Sequence, residues 1–128
     1  MDGPIFLPSM SLYDITQVGL ESAIRGASAR QSALTSNVAN ANTPGYKRQD
    51  LDFHSALASA MGTGSENAVD NTAFTANTDD SSPMQADGNS VDIDVEQANL
   101  AKNGLEYESL ISVANARLGI LKAAMGVN

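Results

Sequence analysis

The chain has 128 residues, a net charge of −8, and neither cysteine nor tryptophan. Its length suits a single domain, and the missing thiols exclude disulfides, thiolate metal sites and cysteine nucleophiles. Without clustered Lys or Arg it makes a poor ligand for nucleic acid, and no apolar run approaches the roughly 18 residues that a membrane span requires.

Ile5-Phe6-Leu7 is too short for the apolar region of a cleaved secretory signal, and no Lys or Arg precedes it. An exported fate therefore needs another route. The first helix is expected over 9–42, opened by a capping box at Ser11 and Asp14. Leu20, Ile24, Ala27, Gln31, Leu34, Val38 and Ala41 recur at alternating steps of four and three, the spacing of a heptad seam. Gly19, Ala23, Gly26, Ala29 and Ala33 narrow the helix surface and admit close neighbours.

Residues 43–57 form a turn and motif segment. Thr43 precedes a proline and is disfavoured in a helix, so the helix should stop near Asn42. Pro44 and Gly45 suit the two central positions of a type II turn. Asn40 and Asn42 accept the irregular geometry of a helix end. On residue chemistry alone this is a well-made helix stop.

Residues 58–90 are rich in Ser, Thr, Asn, Asp, Gly and Ala, and residues 55–88 carry five acids and no base. Such a stretch buries too little apolar surface to offset its ordering entropy. A flexible polar middle is expected, with a short extended piece around Thr72–Thr75. The second long helix is expected over 91–126. Asp92 or Asn89 caps it, Asp94 and Glu96 complement the dipole of its first turns, and Gly126 ends it. Its seam runs through Ile93, Gln97, Leu100, Gly104, Tyr107, Ile111, Ala114, Leu118, Leu121 and Met125. Leu105 and Leu110 lie off that seam and point to more than one partner helix.

The predicted fold is thus all-α: two long terminal helices forming a coiled-coil-like hairpin, joined by a mostly irregular polar loop. A lone pair of such helices leaves apolar surface for other chains, so assembly is expected rather than catalysis; a monomeric hairpin is the alternative. His54 is the only histidine and has no nucleophile to serve. Asp87, Asp92, Asp94 and Glu96 fail the calcium-loop spacing, because Gly88 directly follows Asp87. No catalytic, cofactor or metal site is expected.

The segment Asn37-Val38-Ala39-Asn40-Ala41-Asn42-Thr43-Pro44-Gly45-Tyr46 resembles the signature of bacterial flagellar rod, hook and hook-associated proteins. Lys47 to Phe53, Asp87 to Glu96 and Asn103-x-Leu105-x-Tyr107 are similar to the version in proximal rod subunits. The chain is therefore identified as a member of the flagellar basal-body rod family, with a middle too short for the inserted domains of many relatives. The resemblance implies a single rod core domain over 1–128, and a non-enzymatic subunit that leaves the cytoplasm through the flagellar type III apparatus for the periplasmic rod. It also implies polymerisation through the terminal helices and transmission of torque. The implied partners are copies of itself, other rod subunits, the adaptor joining rod to membrane ring, and the type III export gate, with no nucleic acid and no membrane span.

Asn37, Asn40, Asn42, Thr43, Pro44, Gly45 and Tyr46 are the family signature. Phe53 and Leu57 resemble the motif that engages the export gate; packing on one helical face accounts for them equally. The assembly seam is assigned to Leu20, Ile24, Leu34, Val38, Ile93, Leu100, Tyr107, Ile111, Leu118 and Leu121. The competing readings are another rod or hook-junction subunit and a non-flagellar helical adaptor.

Overall fold

The computed structural model describes residues 7–126, with side chains from residue 15 onward. Its elements are α1 (Leu7–Ala39), β1 (Gln49–Asp50), α2 (Phe53–Met61), α3 (Glu66–Asp70), β2 (Asn77–Thr78) and α4 (Ile93–Ala124). The protein is mostly helical, and its two long helices are joined by a largely irregular region. At 1.5 Å per residue, α1 and α4 are each about 50 Å long.

The helix ends follow from local chemistry. The α1 backbone is helical from Leu7, four residues ahead of Ser11, so Ser11 does not open the helix. The side chains of Ser11 and Asp14 lie outside the described residues. At the other end, Asn40 donates through its backbone N–H and its Nδ2 to the Ser36 carbonyl. The Tyr46 N–H bonds the Thr43 carbonyl at 3.2 Å, and Gly45 takes a φ of 76°. These are the marks of a type II turn with glycine at its third position. Asp52 caps α2 by accepting from the Ser55 N–H and hydroxyl. Asp92 caps α4 by accepting from the N–H groups of Asp94 and Val95.

α1 is the hub: it touches α2, α3, α4 and β1. One face, spaced at Gly19, Ser22 and Gly26, carries the α2–α3 layer. A methyl group at Gly26 would lie 2.6 Å from Phe53 Cβ, so only glycine lets α2 come this close. The Ser22 hydroxyl donates to the Val69 carbonyl. The core gathers Ala23, Ala27, Leu51 and Phe53, with Leu57, Phe74, Tyr107 and Leu110 against it. A neighbouring face of α1 meets α4, where the buried Asn103 donates to the Ala27 carbonyl and to Gln31 Oε1, both at 2.8 Å.

Two expectations for the middle segment change. The extended piece lies at Asn77–Thr78 rather than Thr72–Thr75. It pairs antiparallel with β1, Gln49 opposite Thr78 and Asp50 opposite Asn77. Anchorage by Asp79, through its N–H to the Arg48 carbonyl and its carboxylate to the Arg48 guanidinium, selects that register. The polar stretch also holds α3, which Ser65 caps by accepting from Ala68.

Candidate functional site

The signature turn is built around the side-chain amide of Asn37, which is fully buried. Asn37 Nδ2 donates to the Gln49 carbonyl at 2.6 Å and to Glu96 Oε1 at 2.9 Å. Asn37 Oδ1 accepts from the Gln49 N–H and the Tyr46 hydroxyl, each at 3.0 Å. The amide thus meets both backbone groups of Gln49 as a neighbouring strand would. An aspartate has no N–H to give, and an aliphatic side chain would orphan groups at a cost of about 1–3 kcal/mol each. Burial and the nearby Glu96 carboxylate raise the Tyr46 pKa above its ordinary value.

Beneath this amide lies a buried ion pair. Arg48 Nε donates to Glu96 Oε2 at 2.7 Å, and the Glu96 side chain has no exposed surface. The same guanidinium donates to Asp79 at 2.8 Å and Asp50 at 3.0 Å, and Arg30 grips Asp50 with bonds of 2.8 and 3.1 Å. Burial disfavours the Arg48 charge, but hydrogen bonds to Glu96 and Asp50 more than compensate and raise its pKa. The bond to Asp50 likewise raises Arg30. Burial pushes the Asp50 carboxyl up, and hydrogen bonds led by Arg30 outweigh it, so the net shift is downward. The Ser81 and Ser82 hydroxyls, with smaller help from Arg48, hold Asp79 at about 2. The cluster ties the loop after α1, the two-stranded ladder and the first turn of α4 into one unit. Such a network defines one arrangement more surely than it adds stability.

Asn89 closes the turn from outside. Its Nδ2 donates to the carbonyls of Asn40 and Thr43, both at 2.8 Å, and its Oδ1 accepts from the Val91 N–H. The Gly45 N–H bonds the Asp87 carbonyl, the Ser90 N–H bonds the Tyr46 carbonyl, and Lys47 reaches the Gly88 carbonyl and the Met84 sulfur. Asn89 is therefore a clamp on the turn and not the cap of α4. Glu96 lies in the first turn of α4 as expected and is in addition the buried partner of Arg48. Sequence reasoning missed both roles because the partners lie more than 40 residues away; the quoted motifs carried the only signal.

The remaining signature residues are more exposed. Asn40 Oδ1 accepts from the Thr43 hydroxyl, whereas Asn42 and Pro44 face solvent. Phe53 is buried and Leu57 half-buried. Of the seam residues, Leu34 is fully buried, and Leu20, Ile24, Val38, Leu100, Tyr107, Ile111 and Leu121 are half-buried. Ile93 and Leu118 are 44% and 41% exposed. The buried residues of α4 are Glu96, Asn103 and Ala114; Ala114 belongs to the heptad seam, whereas Glu96 and Asn103 lie beside it. His54 Nε2 lies 2.5 Å from Glu106 Oε2 and joins α2 to α4. No three metal-ligating side chains converge among the described residues.

Residues 20–47, from α1 through the signature turn, match the family model described as flagella basal body rod protein. The chain is 38% identical over 108 residues to the flagellar basal body rod protein FlgB of Cereibacter sphaeroides, covering 76% of this chain and 84% of that one. It is 31% identical over 127 residues to the protein of that name from Bacillus subtilis (strain 168), covering 91% and 97%. This chain belongs to the FlgB family of flagellar basal body rod proteins. The family is a structural one, and membership makes this chain a structural subunit of the basal-body rod. The protein of that name from Escherichia coli (strain K12) is 33% identical over 125 residues, covering 84% and 88%. Among the described residues, no helix is long and apolar enough to cross a membrane.

Proposed function

We propose that this chain is a proximal rod subunit without catalytic activity, exported by the type III apparatus, that packs its terminal helices against copies of itself and other rod subunits. The observation that carries this reading is the surface of α4 beyond Glu108. Val113, Leu118, Ile120 and Met125 are exposed there, and Arg117 is the only charged residue between Ser109 and Leu121. A helix that faces water along its length carries charge on its outer face. One that lacks it joins other helices, and a contact between unlike faces propagates without closing.

The signature residues Asn37, Asn40, Asn42, Thr43, Pro44, Gly45 and Tyr46 hold the rigid corner from which α1 and α4 project, so torque entering one helix reaches the other. Of the assembly seam on α1 and α4, Ile93 and Leu118 are the members most open to a neighbouring chain. Phe53 and Leu57 serve the export gate before folding, because the folded core claims the same Phe53 ring. The whole chain acts as one rod core domain, and its remaining partner is the adaptor between rod and membrane ring. Locating the tagged chain in isolated basal bodies tests the assignment. It is expected next to the membrane ring; a more distal position would make it another axial subunit, and intact rods and swimming after gene deletion would make it a non-flagellar helical protein.

A further inference from the structure

Glycines inside a helix need a reason, since alanine is the better helix former. In α1 that reason is internal: a methyl at Gly26 would strike Phe53, and one at Gly19 would press Met61 at 3.3 Å. In α4 it is not. A methyl at Gly104 or Gly119 meets nothing within 4 Å.

These two glycines mark two different surfaces. Gly104 lies in a groove of about 680 Å³ between the long helices, lined by Ser28, Ser32, Thr35 and Ala39 of α1 and by Glu108 of α4. Gly119 lies on the side of α4 turned away from α1, in a ridge with Ala101, Leu105, Ser112, Ala116 and Ala123. The residues named are exposed and uncharged, Glu108 borders them on the groove side, and Leu105 is the one large apolar side chain among them, 67% exposed. Lys102 stands three residues from Leu105. Among the described residues neither Lys102 nor Glu108 has an ion-pair partner. Knob, hole and opposite charges thus occur on one molecule, on faces that cannot meet within it.

We propose that the α4 ridge of one copy docks in the α1–α4 groove of a second copy, Leu105 seated over Gly104 and Lys102 facing Glu108. This rests on the rod reading and names the contact within it. Joining unlike faces, the contact is heterologous and open-ended. The small side chains let the helix axes approach to the short end of the usual 8–10 Å range.

The test uses the full chain in a flagellated strain lacking its own copy. Gly104→Ala and Gly119→Ala are each expected to raise the melting temperature of the purified chain by about 3–5 °C and to lower incorporation into basal bodies several-fold. A higher melting temperature with unchanged incorporation, or a fall in melting temperature, overturns the proposal. The chain has no cysteine, so a variant carrying Ser32→Cys with Leu105→Cys reports the contact directly. Oxidation is expected to give a ladder of cross-linked oligomers. Dimers alone, or swimming cells with no product, overturn the contact while leaving the rod reading intact. If the cysteine pair blocks incorporation, charge exchange decides: Lys102→Glu and Glu108→Lys should each lower it and together restore it, and failure to restore overturns the contact. Failure of the unmodified chain to enter basal bodies overturns the rod reading and the contact together.

Discussion

Replacing Gly26 by alanine sets two opposed effects against each other at one atom. Helix propensity favours the change by about 1 kcal/mol. Against it, the new methyl would lie 2.6 Å from Phe53 Cβ, 2.7 Å from Cγ and 2.8 Å from Cδ2. Carbon atoms rest about 3.5–4.0 Å apart, so a gap of about 1 Å must open. Phe53 is the first residue of α2 and its Cβ is fixed to the backbone, so no rotation moves it away; α2 itself must move. That places the cost near the top of the usual range for overpacking, about 3 kcal/mol. The net expectation is destabilisation by about 2 kcal/mol. With a urea m-value of about 2 kcal/mol/M, the unfolding midpoint should fall by about 1 M. Adding Phe53→Gly to Gly26→Ala removes Cβ, Cγ and Cδ2 together and with them the clash, so the alanine at 26 should be neutral or favourable in that background. A midpoint that rises for Gly26→Ala alone would refute the close docking of α2 on α1.

Glu96→Gln removes the acceptor charge from a buried guanidinium; the pair's loss should cost about 3 kcal/mol in urea unfolding, and a change below about 0.5 kcal/mol would mean that Asp50 and Asp79 suffice to hold Arg48. Leu118→Asp alters a half-open site, so the isolated chain should keep its stability to within about 0.5 kcal/mol while incorporation into basal bodies is lost; normal swimming would remove Leu118 from the assembly surface. Asp50 and Asp79 both have folded pKa values below the unfolded carboxylate value of about 3.9. Their stabilisation is complete above that value and disappears as the pH falls toward about 2. The melting temperature should therefore be level from about pH 7 to 5 and drop between about pH 4 and 2, less steeply in Asp79→Asn; a decline starting near pH 6 would assign the sensitivity to another group.

Local chemistry determined much of this protein without reference to the rest of the chain. Thr43, Pro44 and Gly45 dictate the turn because proline restricts the residue before it and glycine accepts positive φ. Asp92 caps α4 because its short carboxylate reaches N–H groups only two and three residues ahead. The family signature was legible for the same reason, being contiguous. Only the tertiary structure decided which faces are covered. The heptad pattern of α4 is blurred by Ala, Ser and Gly, which fit a core or a surface equally, so its inward face could extend past the apparent seam to Glu96 and Asn103. The polar cluster was equally out of reach. Arg48 meets Glu96, and Asn89 meets Asn40, across more than 40 residues; nothing local distinguishes a carboxylate that caps a helix from one that burial has paired with a distant guanidinium.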